Sequence, residues 1–274
     1  MRTKTLIIAV AALAAGILTS SAQTYSQNIV GYVNLPIAAN HYWFLGNQLQ
    51  TGSDAAKTNN DAATVLATGA ISDPSGALNT ELYHWNGGGY DVVSYFTGPD
   101  WDSFWGASGS PAGFYDPSSG TLYNFSLNQG AGNYVKNPAG NPTLTITLIG
   151  SVVQSTNLIT INHGYNALCM VAPLSTNIDS ALGGFVGTSD AGGGNNDLLY
   201  VPAAVSGYNV AAYFSGPDWD SFWGASGSPA GFYDTSSGTY ESSNPAFMPK
   251  VGQAFFLYHA VAGTETWTNI FTIQ

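Results

Sequence analysis

The chain has 274 residues, of which only 8% are charged, with five Lys and Arg against sixteen Asp and Glu for a net charge of −11. Binding a phosphate backbone or an anionic bilayer rests on clustered Lys and Arg, so this composition argues against nucleic acid and acidic membranes as partners. A single cysteine, Cys169 in "YNALCMVAP", excludes an intramolecular disulfide, and its apolar neighbours fit a buried small hydrophobe better than a reactive thiol, which needs positive charge nearby.

Arg2 and Lys4 precede an apolar run from Leu6 to Leu18 and the small residues Ser20, Ser21 and Ala22. This is the pattern of an export signal over 1–22, with cleavage expected after Ala22 and a short linker over 23–27. The run falls short of the roughly 20 apolar residues of a bilayer span. No later segment reaches that length, so the mature chain is expected to be exported, extracellular or periplasmic, without a transmembrane span. Losing the signal leaves Lys57, Lys136 and Lys250 against sixteen acids, a net charge of −13.

Beyond the linker the hydrophobic pattern is that of strands. "HYWFLGNQL" from His41 reads as a continuously apolar, buried strand, followed by "SDAAKTNNDAATVLATG" from Ser53, which holds one short capped helix or turn stopped by glycine. "TLTITLIGSV" alternates strictly, with Leu144, Ile146 and Leu148 on one face and Thr143, Thr145 and Thr147 on the other. "YNALCMVAPL" is a second buried strand, "STNIDSALGGF" from Ser175 a second short helix or turn, and "ETWTNIFTIQ" a final alternating strand with Trp267, Phe271 and Ile273 on one side.

The stretch "GPDWDSFWGASGSPAGFYD" occurs twice, from Gly98 to Asp116 and from Gly216 to Asp234. At this offset of 118 residues the likeness extends from Tyr95 to Thr121 with only Thr97/Ser215 and Pro117/Thr235 differing, and "ELYHWNGGGY" upstream answers "DLLYVPAAVSGY". Downstream, "GAGNYVKNPAG" loosely answers "GQAFFLYHAVAG". Two domain-sized units follow, 28–150 and 151–274, far longer than solenoid repeats of about 20–50 residues. The expected fold is all-β: two tandem β-sandwich-like or barrel-like repeats of about 120 residues each, with long Gly/aromatic loops.

An export signal followed by "YSQNIVGYVNLPI", a buried strand ending in "GNQL", the "LYHWNGGGY" hairpin, and "LNQGAGNYVKNP" leading into "TLTITLIGSV" resembles a group of secreted, two-repeat β-rich proteins common in the Verrucomicrobia. "NIVGYVN" is the most specific part. The resemblance implies export and repeat architecture, and it implies no catalytic residues. The duplicated nineteen-residue segment is a departure from the group.

That segment carries the candidate site. Four of the seven tryptophans fall there, Trp101 and Trp105 with Trp219 and Trp223, joined by Tyr115 and Tyr233. Its turn formers predict a long loop whose rings either plug their own sheet or face solvent. Outward rings would stack on sugar faces or insert into a partner, making a glycan or cell-surface polymer the expected ligand and self-association the alternative. Asp100 and Asp102, with Asp218 and Asp220, would then accept hydrogen bonds. Asp-x-Asp also admits calcium, although Phe104 and Phe222 stand where a calcium loop would supply another oxygen, and turn capping is the simpler role.

An enzyme finds little support. Asp102 and Asp116 are a conceivable glycosidase pair, which would need to stand about 5 to 10 Å apart. His41, His84, His163 and His259 lack metal-ligand spacing, and no phosphate loop or serine-nucleophile motif is present. The chain is expected to be a binding protein with no catalytic residues.

Overall fold

Short antiparallel strands dominate the computed structural model of the chain, which describes residues 30–51, 60–66, 69–123, 125–178, 184–242 and 244–271. The expected export signal and linker lie outside these residues, as do parts of both short helices expected after Ser53 and Ser175. No helix among the described residues is long and apolar enough to cross a membrane.

In chain order the first half holds β1 (Val30–Ile37), β2 (His41–Gly46), α1 (Ala62–Leu66), β3 (Glu81–Trp85), β4 (Tyr90–Phe96), α2 (Gly98–Trp105), β5 (Gly113–Tyr115), β6 (Leu122–Tyr123), β7 (Gly132–Asn137) and β8 (Leu144–Ser151). The second half holds β9 (Thr156–Cys169), β10 (Leu198–Pro202), β11 (Tyr208–Phe214), α3 (Gly216–Trp223), β12 (Gly231–Asp234), β13 (Thr239–Tyr240) and β14 (Ala254–Ile270). One six-stranded sheet runs β2-β7-β3-β4-β5-β6 and the other β9-β14-β10-β11-β12-β13. The orders correspond strand for strand. Each sheet ends in two edge strands, so neither closes into a barrel and the packing is sandwich-like.

A third, two-stranded sheet pairs β1 with β8. In the second half the same job falls to the outer ends of β9 and β14, which continue past a register shift between His259 and Thr264. In the first half Pro138 and Pro142 flank the break between β7 and β8, and a residue without an N–H cannot extend a ladder.

Period-two patterning explains the packing. Leu144, Ile146 and Leu148 of β8 point inward while Thr145 is exposed. With Leu35, Ile37 and the buried Ala62, Val65 and Leu66 of α1, they cover Leu82, Val93, Phe114 and Val135 on one face of the first sheet. Ile161, Leu199, Val201, Phe232, Phe255 and Trp267 build an equivalent core in the second half. Each such side chain contributes roughly 1.5–3 kcal/mol on burial.

The opposite faces of the two sheets meet. Phe44, Ala167, Cys169, Ala254 and Phe256 form the contact, with Phe44 stacked on Tyr134 at 4.3 Å and against Phe256 at 4.7 Å between ring centroids. Two backbone hydrogen bonds cross it in matching positions, Gly46 N–H to the Gly252 carbonyl at 3.1 Å and Cys169 N–H to the Gly130 carbonyl at 3.0 Å. Gly46 is required here, because a Cβ would come within 2.3 Å of the Cys169 Cβ.

Candidate functional site

The duplicated segment contains a helix where its glycines and prolines predict a loop. Thr97 caps α2, its hydroxyl accepting the Asp100 N–H, with proline in the first turn and Gly106 closing the helix at φ 74°. Ser215 and Gly224 repeat the arrangement on α3. Asp100 adds favourable charge at the N-terminal end of the helix dipole.

Helical spacing then sorts the rings. Trp101 and Trp105, four residues apart, share a face, and they stack at 5.3 Å with planes 7° apart. Tyr115 stacks on Trp101 at 4.0 Å and donates its hydroxyl to the Pro111 carbonyl at 2.6 Å. The column therefore runs Tyr115, Trp101, Trp105 outward from the sheet. Trp101 and Tyr115 are each 3% exposed, whereas Trp105 is 45% exposed. Tyr233, Trp219 and Trp223 form the same column, stacked at 4.0 and 5.4 Å, with Trp223 46% exposed. Among the seven tryptophans only Trp105 and Trp223 are strongly exposed. Ligand contact expected of Trp101, Tyr115, Trp219 and Tyr233 thus gives way to packing, since their rings are covered by neighbours.

The aspartates are likewise engaged within the chain. Asp100 accepts the Ser72 and Thr97 hydroxyls at 2.5 and 2.7 Å, and Asp218 the hydroxyls of Ser189 and Ser215. Both oxygens of Asp102 receive amides, Gly109 N–H at 2.7 Å and Ser110 N–H at 3.2 Å, as those of Asp220 do from Gly227 and Ser228. A cation at Asp100-x-Asp102 or Asp218-x-Asp220 would have to displace these donors. Hydrogen bonds from Ser110 and Gly109 hold the Asp102 carboxyl below its usual range, and the Ser118 and Ser119 hydroxyls bring Asp116 down to about 2. A glycosidase acid needs the reverse shift.

A second pair of features lies where the sheets meet, and sequence reasoning missed it. A cavity of about 540 Å³ opens between β2 and the turn from β10 to β11, lined by Asn40, His41, Tyr42, Phe44, Tyr134, Ser206 and Tyr208 among others. A smaller one of about 290 Å³ opens between the turn from β3 to β4 and β9, lined by Trp85, Asn86, Asn162, His163 and Tyr165. Each pairs a hairpin of one half with the matching strand of the other. The signal was in the sequence: "NHY" at 40–42 recurs as "NHGY" at 162–165, with one glycine inserted. Trp85 Nε1–H bridges the halves to the Tyr165 carbonyl at 3.2 Å, and the Tyr134 and Tyr208 hydroxyls hydrogen-bond across the larger cavity.

Asp197, His259 and Glu265 form a third cluster, which spacing alone does not reveal. His259 Nδ1 lies 3.0 Å from Asp197 and 3.6 Å from Glu265. Asp197 also accepts the Thr188 and Ala260 amides, each at 2.9 Å. The trio pins the register shift in β14. Burial, and then the charge of Asp197, push the Glu265 carboxyl up.

No protein-family model, curated protein or solved structure matches the chain.

Proposed function

We propose that the chain is an exported, non-enzymatic binding protein, built from two duplicated β units, that recognises a glycan or another cell-surface polymer through paired indole platforms. The observation that carries this is the twofold construction of one exposed indole on a buried ring column: Trp105 on Trp101 and Trp223 on Trp219. A stacked indole has already lost its rotamer freedom, so stacking a sugar ring on it costs little further ordering. Exposed aromatic surface in this form favours recognition over packing. Two copies allow one polymer to engage both, which raises avidity by about 10²–10⁴ where geometry permits.

Affinity electrophoresis through gels containing neutral polysaccharides tests this. Retardation of the mature protein that is lost in Trp105→Ala/Trp223→Ala and reduced in either single variant supports the proposal. Unchanged retardation in the double variant refutes it.

The exposed face of the β1–β8 ribbon favours a second reading, self-association. Val30 and Tyr32 are 70% and 63% exposed, and Ile149 lies directly opposite Tyr32. Sedimentation velocity over a hundredfold concentration range would reveal a dimer that Tyr32→Lys abolishes.

A further inference from the structure

We propose that the larger junction cavity is a second, independent binding site for a neutral mono- or disaccharide. The idea rests on the glycan reading for its ligand class and needs neither Trp105 nor Trp223. Its volume of about 540 Å³ falls inside the roughly 300–1,000 Å³ typical of small-ligand sites, which the mate of about 290 Å³ does not reach.

The lining selects the chemistry. Tyr42, Tyr134 and Tyr208 line it with aromatic surface, one face of Tyr134 being taken by Phe44 and one of Tyr42 by Lys136. Asn40 and Ser206 supply polar groups, and among the described residues no Asp, Glu, Lys or Arg lines the cavity. Lys136, over the Tyr42 ring, is already paired with Glu81 at 3.0 Å, so an anionic ligand finds no free counter-charge there, in a chain whose net charge is already −11. His41 is an exposed residue of the lining. Its Nδ1–H reaches the Ala39 carbonyl at 2.8 Å, which orients the ring, and in the neutral tautomer this bond selects, Nε2 is the acceptor that can meet a hydroxyl. Ring faces beside hydroxyl donors and acceptors are what a pyranose offers matching surfaces to, apolar C–H faces and equatorial hydroxyls. The site is also built across the two halves, so it exists only when they are docked. The Asn-His-Tyr set recurs at the smaller mate, Asn162, His163 and Tyr165, which marks the lining as part of the duplicated plan.

The test is isothermal titration of the mature protein with cellobiose and with maltose, in four forms: wild type, Trp105→Ala/Trp223→Ala, Tyr42→Ala, and Ser206→Trp. Tyr42 is 52% exposed and Ser206 lies in the exposed turn after β10, so neither change should disturb folding, which circular dichroism checks. Binding that survives the double tryptophan change and falls at least tenfold in both Tyr42→Ala and Ser206→Trp supports the cavity site. Binding lost with the tryptophans but unaltered by the cavity variants overturns it and leaves the platforms standing. No heat at millimolar sugar in any form overturns the cavity proposal, and polysaccharide retardation then decides the platforms separately.

Discussion

Trp105 lies parallel to Trp101 at 5.3 Å, yet one indole is open to solvent and the other is sealed beneath it. The same neighbours in sequence therefore have opposite roles. Replacing Trp101 or Trp219 with alanine removes the middle of a ring column and should cost about 3–5 kcal/mol in urea denaturation, as for buried large-to-small changes. Trp105→Ala and Trp223→Ala should each cost less than about 1 kcal/mol, since surface substitutions rarely cost more. Equal losses would mean that the outer indoles are core.

Gly120 lies under the edge of Trp105, at φ 74°, and a Cβ there would come within 2.7 Å of the indole. Gly120→Ala is strained by its backbone and should push the ring off its column. Near-ultraviolet circular dichroism, sensitive to stacked indoles, should lose intensity in Gly120→Ala and again in Gly238→Ala. An unchanged spectrum would contradict the geometry.

Acid should weaken the fold through the duplicated turns. Hydrogen bonds hold Asp116 and Asp234 at about 2, against an ordinary 3.8, so the unfolded chain binds more protons between these values. Stability is full above the unfolded value and is lost as pH falls towards the folded one. Asp102, Asp218 and Asp220 are shifted the same way. Glu265 runs oppositely: its raised carboxyl favours the fold at low pH, and that contribution fades as pH rises through its folded value. The guanidinium midpoint should fall between pH 5 and pH 2.5, and less steeply in Asp116→Asn/Asp234→Asn. An equal slope in that variant would refute the assignment.

Cys169 is wholly buried, and burial raises its thiol to about 12. Ellman's reagent at pH 8 should leave the native protein unlabelled for hours and label one thiol per chain on addition of urea. Prompt native labelling would mean that the contact between the sheets opens.

Phe256 touches Phe44, Trp85, Tyr165 and Tyr208, spanning both halves. Phe256→Ala should cost roughly 3–5 kcal/mol and split the single urea transition into two. One transition with a loss below about 1 kcal/mol would show that the halves are held by other contacts.

Several of these features were open to inspection in the sequence. The threonine and leucine alternation of β8 could be assigned to its faces because one side of that ribbon is dry. The apolar runs after His41 and Tyr165 were legible because both faces of Phe44 to Gly46 and of Asn166 to Cys169 are covered, although His41, Tyr42 and Tyr165 at their outer ends are exposed rather than buried. The helix was hidden by its own glycines and prolines, although Thr97, Asp100 and Gly106 stand where a cap, a third-position acid and a terminating glycine belong. Whether the tryptophans face in or out had no single answer, because residues four apart on one helical face lie one above the other. The Asn-His-Tyr pair escaped notice because Gly164 breaks its register, and Asp197 meets His259 only across neighbouring strands.

Acrylamide quenching of tryptophan fluorescence, with and without neutral polysaccharides, reaches the central proposal most directly. A readily quenched fraction that Trp105→Phe/Trp223→Phe removes, and that a bound polysaccharide shields in the wild type, is the expected result. A quenched fraction that every polysaccharide leaves untouched would contradict recognition through these indoles and turn attention to self-association.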